Sequence, residues 1–172
     1  RLQVDAQITD DPDAILAADK VIFPGVGEAA NTMSYLRERG MDQLIASLTM
    51  PVLGICLGQQ LMCEWSEEGD TSCIGIFKQP VRRFPEGLKV PHMGWNSLDA
   101  VSGKLFDPEH VGSFVYFVHS YYVPVCDDSA ALCEYIIPFS AAMEKGNYFA
   151  TQFHPEKSGS PGERILEKFL KL

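Results

Sequence analysis

Basic residues are scarce in this chain. Fourteen Lys and Arg stand against 23 Asp and Glu, a formal net charge of −9 over 172 residues. Such a surface repels phosphate backbones and anionic lipid, so neither nucleic acid nor a membrane is expected as the main partner. No apolar run is long enough to span a bilayer, and no signal-peptide pattern is visible. Cysteines spaced for a metal or a redox pair are missing. The five present, Cys56, Cys63, Cys73, Cys126 and Cys133, are odd in number and include no Cys-x-x-Cys. A disulfide scaffold or zinc site is therefore not expected, and a reducing, cytoplasmic setting is. His92 and His110 lack ligand-like spacing, so neither a metal nor a cofactor is expected. Repeats, low-complexity tracts and linkers are also lacking. That leaves one domain, large enough to bury a real core.

What is present alternates. Leu2 to Ile8 reads as a strand, and a turn at Asp10, Asp11 and Pro12 opens a short helix from Asp13 to Ala18. Val21-Ile22-Phe23 is a buried strand ending at Pro24-Gly25. A helix is predicted from Glu28 to Arg39, stopped by Gly40 as a left-handed cap. A second helix, Met41 to Leu48, leads into a strand at Val52. Strands and helices joined by short links predict an open parallel sheet flanked by helices, an α/β fold. The middle is different. Residues 74–84, 97–99, 114–125 and 132–137 are β-rich and broken by turns. Glu144 to Gly146 is predicted as a hairpin turn before a strand at Asn147 to Phe153. The last helix takes Ser160 as N-cap, Pro161 at its first position and Glu163 to close a capping box. Ile165, Leu166, Phe169 and Leu170 form its apolar stripe. The chain opens on what a doubly wound sheet would use as its second strand. The expectation is a single domain, 1–172, lacking its first strand and helix.

The chemistry gathers at Pro51-Val52-Leu53-Gly54-Ile55-Cys56-Leu57-Gly58-Gln59-Gln60. A short apolar strand meets Gly-x-Cys-x-Gly and then a helical pattern, Leu57, Leu61, Trp65. This is the cysteine form of a nucleophile elbow, a sharp turn that lifts one side chain above the sheet. The positive end of the following helix points at the sulfur and favours the thiolate. A cysteine at a strand end is also a common packing residue, as Cys63, Cys73, Cys126 and Cys133 are read to be. Phe153-His154-Pro155-Glu156 weighs toward catalysis. His154 and Glu156 are two residues apart and project to one side. Cys56, His154 and Glu156 make a nucleophile, a base and an orienter.

Pro24-Gly25-Val26-Gly27-Glu28-Ala29-Ala30 follows a strand and opens a helix, matching Gly-x-Gly-x-x-Ala on paper. A dinucleotide reading is rejected. Glu28 would occupy the pyrophosphate position, and no acidic residue stands where a ribose partner belongs. The loop fits better as an oxyanion hole. One donor is the amide after the nucleophile, at Leu57, and the other the peptide at Val26 or Gly27. Gly25 and Gly27 give that peptide two cheap backbone states. A plain helix-entry turn fits equally well.

Pro24-Gly25-Val26-Gly27, Gly54-Ile55-Cys56-Leu57-Gly58-Gln59-Gln60 and Gln152-Phe153-His154-Pro155-Glu156, in that order, resemble the class I (triad) glutamine amidotransferases. Pro91-His92-Met93-Gly94-Trp95-Asn96, Phe117-Val118-His119-Ser120-Tyr121-Tyr122 and Lys157-Ser158 narrow the likeness to the glutaminase subunit of imidazole glycerol phosphate synthase. The resemblance implies a flavodoxin-like, mostly parallel sheet with added antiparallel strands. It implies hydrolysis of L-glutamine, with ammonia passing to a TIM-barrel cyclase in a heterodimer that serves histidine synthesis. Cys56 would form a glutamyl thioester, with His154 and Glu156 in support. Gln60, Gly25 and the backbone of His119, Ser120 and Tyr121 would hold substrate. Met93, Trp95, Asn96 and Lys157 would lie at the cyclase face. The alternatives are the glutaminase component of anthranilate or aminodeoxychorismate synthase, and a non-catalytic binding subunit on the same scaffold.

Overall fold

The computed structural model describes Leu2 and residues 4–172. Helix α1 (Pro12–Leu16) is capped by Asp11, whose carboxylate accepts from the Asp13 amide. Strand β1 (Val21–Gly25), helices α2 (Ala29–Glu38) and α3 (Met41–Ser47), strand β2 (Val52–Cys56) and helix α4 (Leu57–Leu61) follow. Gly40 is left-handed, with φ 65°, as the predicted stop between α2 and α3 requires. Then come β3 (Trp65–Ser66), β4 (Thr71–Ser72), β5 (Pro80–Arg83), β6 (His92–Ser97), β7 (Ala100–Val101), β8 (Phe114–His119) and β9 (Tyr121–Tyr122). A hairpin of β10 (Ser129–Tyr135) and β11 (Ile137–Lys145) turns at Gly146 into β12 (Tyr148–Thr151), and α5 (Gly159–Leu170) closes the chain.

The main sheet has the order β1-β2-β12-β11-β10-β7. Its parallel part is β1-β2-β12, and β11, β10 and β7 extend it antiparallel. A four-stranded sheet, β4-β3-β5-β9, and the β6-β8 pair lie beside it. Core side chains fill both faces. Strand β12 sends Tyr148 and Ala150 to the face covered by Met33, Leu36, Ile45, Leu61 and Met62. Its Phe149 goes to the other face, against Phe139, Phe153, Ile165 and Phe169. Strands buried on both faces need no alternation of polar residues, which is why β2 reads as an unbroken apolar run. No helix among the described residues is long and apolar enough to cross a membrane.

Three sequence expectations give way. Of the strand expected from Leu2 to Ile8, Gln3 lies outside the described residues. Among the described ones, Leu2 and Val4 to Ile8, no strand forms. Alternation signals a strand only where one face is covered, and Val4 and Ile8 stand in solvent. The helix expected to reach Trp65 ends at Leu61, and Trp65 begins β3. The carbonyls of Leu61 and Met62 accept from the amides of Ile74, Ile76 and Phe77, which takes the acceptors a longer helix would use. The last helix begins at Gly159, so Ser160 is inside it and not its cap. Ser158 precedes it, but its hydroxyl is committed elsewhere, to the site described below.

Candidate active site

Three parallel strands end side by side, and their registers fix what meets there. Gly25 pairs with Cys56 across β1 and β2, and Thr151 pairs with Ile55 across β12 and β2. The chain leaving β12, Gln152 to His154, therefore emerges beside Cys56. The crevice beyond the carboxyl ends of parallel strands is the usual place for a site in an open α/β sheet.

Cys56 sits at φ 56° and ψ −109°, outside the helix and strand regions. Such a conformation costs about 1–3 kcal/mol and persists only where the surroundings over-determine it. Here glycines do so. A Cβ at Gly25 would come within 2.5 Å of the Gly58 nitrogen, and one at Gly54 within 2.8 Å of the Met62 sulfur. One at Gly58 would overlap the Phe23 carbonyl oxygen. Strands β1 and β2 and helix α4 meet backbone to backbone, and the sulfur stands on that joint.

His154 is fixed by its own main chain. Its amide donates to the Tyr116 carbonyl at 2.9 Å. The Ser158 hydroxyl donates to the His154 carbonyl at 2.6 Å and accepts from the Tyr116 amide at 3.0 Å. The ring Nδ1 lies 2.7 Å from Glu156 Oε1. A carboxylate accepts, so Nδ1 carries a proton and Nε2 is left for the sulfur side. Nε2 is buried with no hydrogen-bond partner among the described residues. The Cys56 side chain is nonetheless the largest influence on the ring. With Glu156 it outweighs burial and raises the imidazole from its ordinary 6.5 to about 9. Cys56 thus acts on the ring although no hydrogen bond joins the two in this structure, and catalytic hydrogen bonds that are long or poorly aligned without substrate commonly tighten in its complex. Burial pushes the Glu156 carboxyl up, but the His154 hydrogen bond and charge hold it below the usual carboxylate range.

The glycine loop is free in front and pinned behind. Val26 is exposed, and Gly27, at φ 103°, has open space where a Cβ would point. Glu28 caps α2, accepting from the Ala30 and Asn31 amides at 3.0 Å each, and Glu68 accepts from Ala29 at 2.9 Å. Two carboxylates occupy the amides that a pyrophosphate would need. Leu57, the residue after the nucleophile, opens α4 directly behind this loop.

The expected substrate residues are close by, but they hold one another. Gln60 is buried, and its Nε2 donates to the Tyr121 carbonyl at 3.1 Å and to Gln152 Oε1 at 2.9 Å. Gln152 Nε2 lies 3.8 Å from Cys56 Sγ. The Ser120 carbonyl accepts from the Phe84 amide, and His119 Nδ1 is 2.7 Å from the Tyr121 carbonyl. Sequence reasoning placed Gln152 and Ser158 within motifs but gave neither a role. Gln152 had a usable signal, because it is two residues from His154 and so shares its side of an extended chain. The expected docking residues divide. Met93 and Trp95 are exposed on β6; Trp95 meets Tyr116 edge-on at 5.9 Å, and Lys157 Nζ lies 6.0 Å over the same ring. Asn96 is on the opposite face of β6, donating to the Glu134 carbonyl at 3.0 Å.

The family model for class-I glutamine amidotransferases matches residues 1–172. The imidazole glycerol phosphate synthase subunit HisH of Bacteroides fragilis (strain YCH46) is 58% identical over 175 residues, covering 100% of this chain and 89% of that protein. The HisH subunit of Yersinia pseudotuberculosis is 45% identical, with the same coverage of 100% and 89%. Among solved structures, a glutamine amidotransferase superposes with a TM-score of 0.73 at 18% identity, covering 99% of this chain and 87% of that one. A Thermoplasma acidophilum protein provisionally assigned to GMP synthase gives 0.66 at 20% identity, covering 94% and 76%. These two share the fold. With motifs, registers and relatives in agreement, this chain belongs to the class-I glutamine amidotransferases and, within them, to the HisH subunits of imidazole glycerol phosphate synthase.

Proposed function

We propose that this chain hydrolyses glutamine at Cys56 and delivers the ammonia to a TIM-barrel cyclase subunit, which uses it to make imidazole glycerol phosphate and AICAR for histidine. The observation that carries the reading is a strained cysteine facing a histidine whose far nitrogen is bonded to a glutamate. With a pKa near 9, His154 holds a proton at neutral pH beside the sulfur. The sulfur attacks the side-chain amide carbon of glutamine. The oxyanion is met by the Leu57 amide and by the peptide at Val26 or Gly27. His154 gives its proton to the amide nitrogen, the C–N bond breaks, and ammonia leaves a glutamyl thioester. Neutral His154 then takes a proton from water. The hydroxide attacks the thioester, releasing glutamate and restoring the thiolate. Gly25 clears space beside the elbow. Met93 and Trp95, with Lys157, form the docking face, and Asn96 braces β6 from behind.

The test is a steady-state glutaminase assay on the chain alone, with the cyclase, and with the cyclase and its ligand. Cys56→Ser should reduce turnover to background in all three, because a serine hydroxyl is a much weaker nucleophile here. Wild-type activity in the serine variant, or alkylation of Cys63 or Cys126 before Cys56, would remove the nucleophile.

A further inference from the structure

A line of buried polar side chains runs from β6 to Cys56, and hydrolysis as written above does not use it. Its fixed point is the Tyr121 carbonyl, which can only accept. His119 Nδ1, 2.7 Å away, must therefore donate. Burial holds both nearby imidazoles neutral, His119 pushed down to about 3 and His92 to about 4. A neutral ring has one donor and one acceptor. So His119 Nε2 accepts, and His92 Nδ1, 2.9 Å away, donates to it. His92 Nε2 accepts in turn from Asn96 Nδ2 at 3.4 Å. The same carbonyl orients the other half. The Gln60 group 3.1 Å from it is the NH₂, which also meets Gln152 Oε1 at 2.9 Å. The remaining end of Gln152, 3.8 Å from Sγ, is then its NH₂. Packing closes off other rotamers. Gln152 is fully buried, and His92 is stacked on Tyr135 at 4.0 Å and on Phe117 at 4.7 Å.

We propose that Gln152 is a positioning residue for the Cys56 sulfur, its amide aimed by Gln60 and, through the Tyr121 carbonyl, by the His119–His92 pair. This rests on Cys56 being the nucleophile. The sulfur lies between two groups of opposite kind. The Val118 carbonyl, 3.9 Å away, accepts from the thiol, and the Gln152 amide offers a donor. A carbonyl suits the neutral sulfur, and a donor suits the anion. When the proton is on His154, Gln152 meets the charge and keeps Sγ from turning toward Val118. Hydrogen bonds to an ionised partner are roughly twice as strong as neutral ones. The titratable groups facing this point are His154, with Glu156 behind it, and His119, with His92 behind it; β1 and α4 contain none.

The experiment measures iodoacetamide alkylation of Cys56 against pH, by peptide mapping, in the full natural chain assembled with its cyclase. Gln152→Glu is isosteric and keeps the acceptor that Gln60 needs, but it puts an anion where the donor was. Its alkylation limb should move up by about one pH unit, tenfold less thiolate at a given pH. Its kcat for glutamine should fall by a similar factor, with KM little changed. Gln152→Met, with neither donor nor acceptor, should shift the limb the same way and guards against a folding defect in the first variant. His92→Phe keeps the stacking and loses the donor, so it should shift the limb less. His92→Asn, which restores an N–H near the Nδ1 position, should bring it back. Thermal unfolding of each variant is followed alongside. An unchanged limb in folded Gln152→Glu or Gln152→Met overturns the proposal, and an unchanged limb in His92→Phe removes the histidine pair from it. A wild-type complex that is alkylated at Cys56 yet hydrolyses no glutamine refutes the proposed function instead, and the limb shifts stay readable.

Discussion

His154 carries its proton at neutral pH because two neighbours hold its pKa near 9, the Cys56 side chain first and Glu156 second. The proton needed by departing ammonia is then lost as pH rises through about 9. The alkaline limb of kcat/KM should fall there. Glu156→Gln removes a negative neighbour that raises the ring, so the limb should move to lower pH. Turnover should drop with KM little changed, because the carboxylate is expected to act through the ring. A limb that stays near 9 in this variant would remove Glu156 from the mechanism. The same shift acts on folding. A histidine raised from 6.5 to about 9 stabilises the fold fully below 6.5 and ceases to do so as pH passes 9. The stability difference between wild type and His154→Gln in urea should therefore shrink between those values.

At the scale of elements, two glycines of one loop should fail differently. Gly25→Ala drives a methyl into the start of α4 and should cost about 1–3 kcal/mol, as overpacking does, together with activity. Gly27→Ala meets open space and pays only for its positive φ, about 1–2 kcal/mol. Its signature should instead be kinetic, a changed response of turnover to the cyclase. A response of turnover to the cyclase left unchanged in Gly27→Ala would contradict this division. The loop, the elbow and His154-Pro155-Glu156 were legible in the sequence because each is a local pattern with a local cause. So were β1, α2, β2 and the turn before β12. What escaped was set at a distance. The end of α4 is decided by amides more than ten residues onward, and the duty of Gln152 by the register of β12 on β2. Strand β6 carries a buried histidine, a glycine, an exposed Met and Trp and two polar residues, a mixture that shows no period of its own.

For the whole molecule, both faces of the main sheet are sealed by core; the β6–β8 pair gives Val115 and Phe117 to that core and turns its other face outward. Met93, Trp95 and Phe114 are all more than half exposed there. Exposed aromatics with a methionine are the composition of a binding anchor rather than of a solvated surface. Trp95→Ala should weaken cyclase binding by about 2 kcal/mol, as loss of an interface anchor does. It should change the unfolding free energy by no more than about 0.5 kcal/mol, as at other surface positions. Calorimetric titration and melting measure the two separately. Unchanged affinity would move the docking face elsewhere.

The backbone strain at Cys56 bears on how this protein could drift. Glycine tolerates φ 56° without the penalty that cysteine incurs, so Cys56→Gly should melt higher than wild type, by about 1 kcal/mol after glycine's entropic cost. A more robust and inert chain is thus one substitution away. Screens that select variants for heat tolerance alone would enrich it, and a lineage that lost its need for histidine synthesis would have a downhill path to a stable relic.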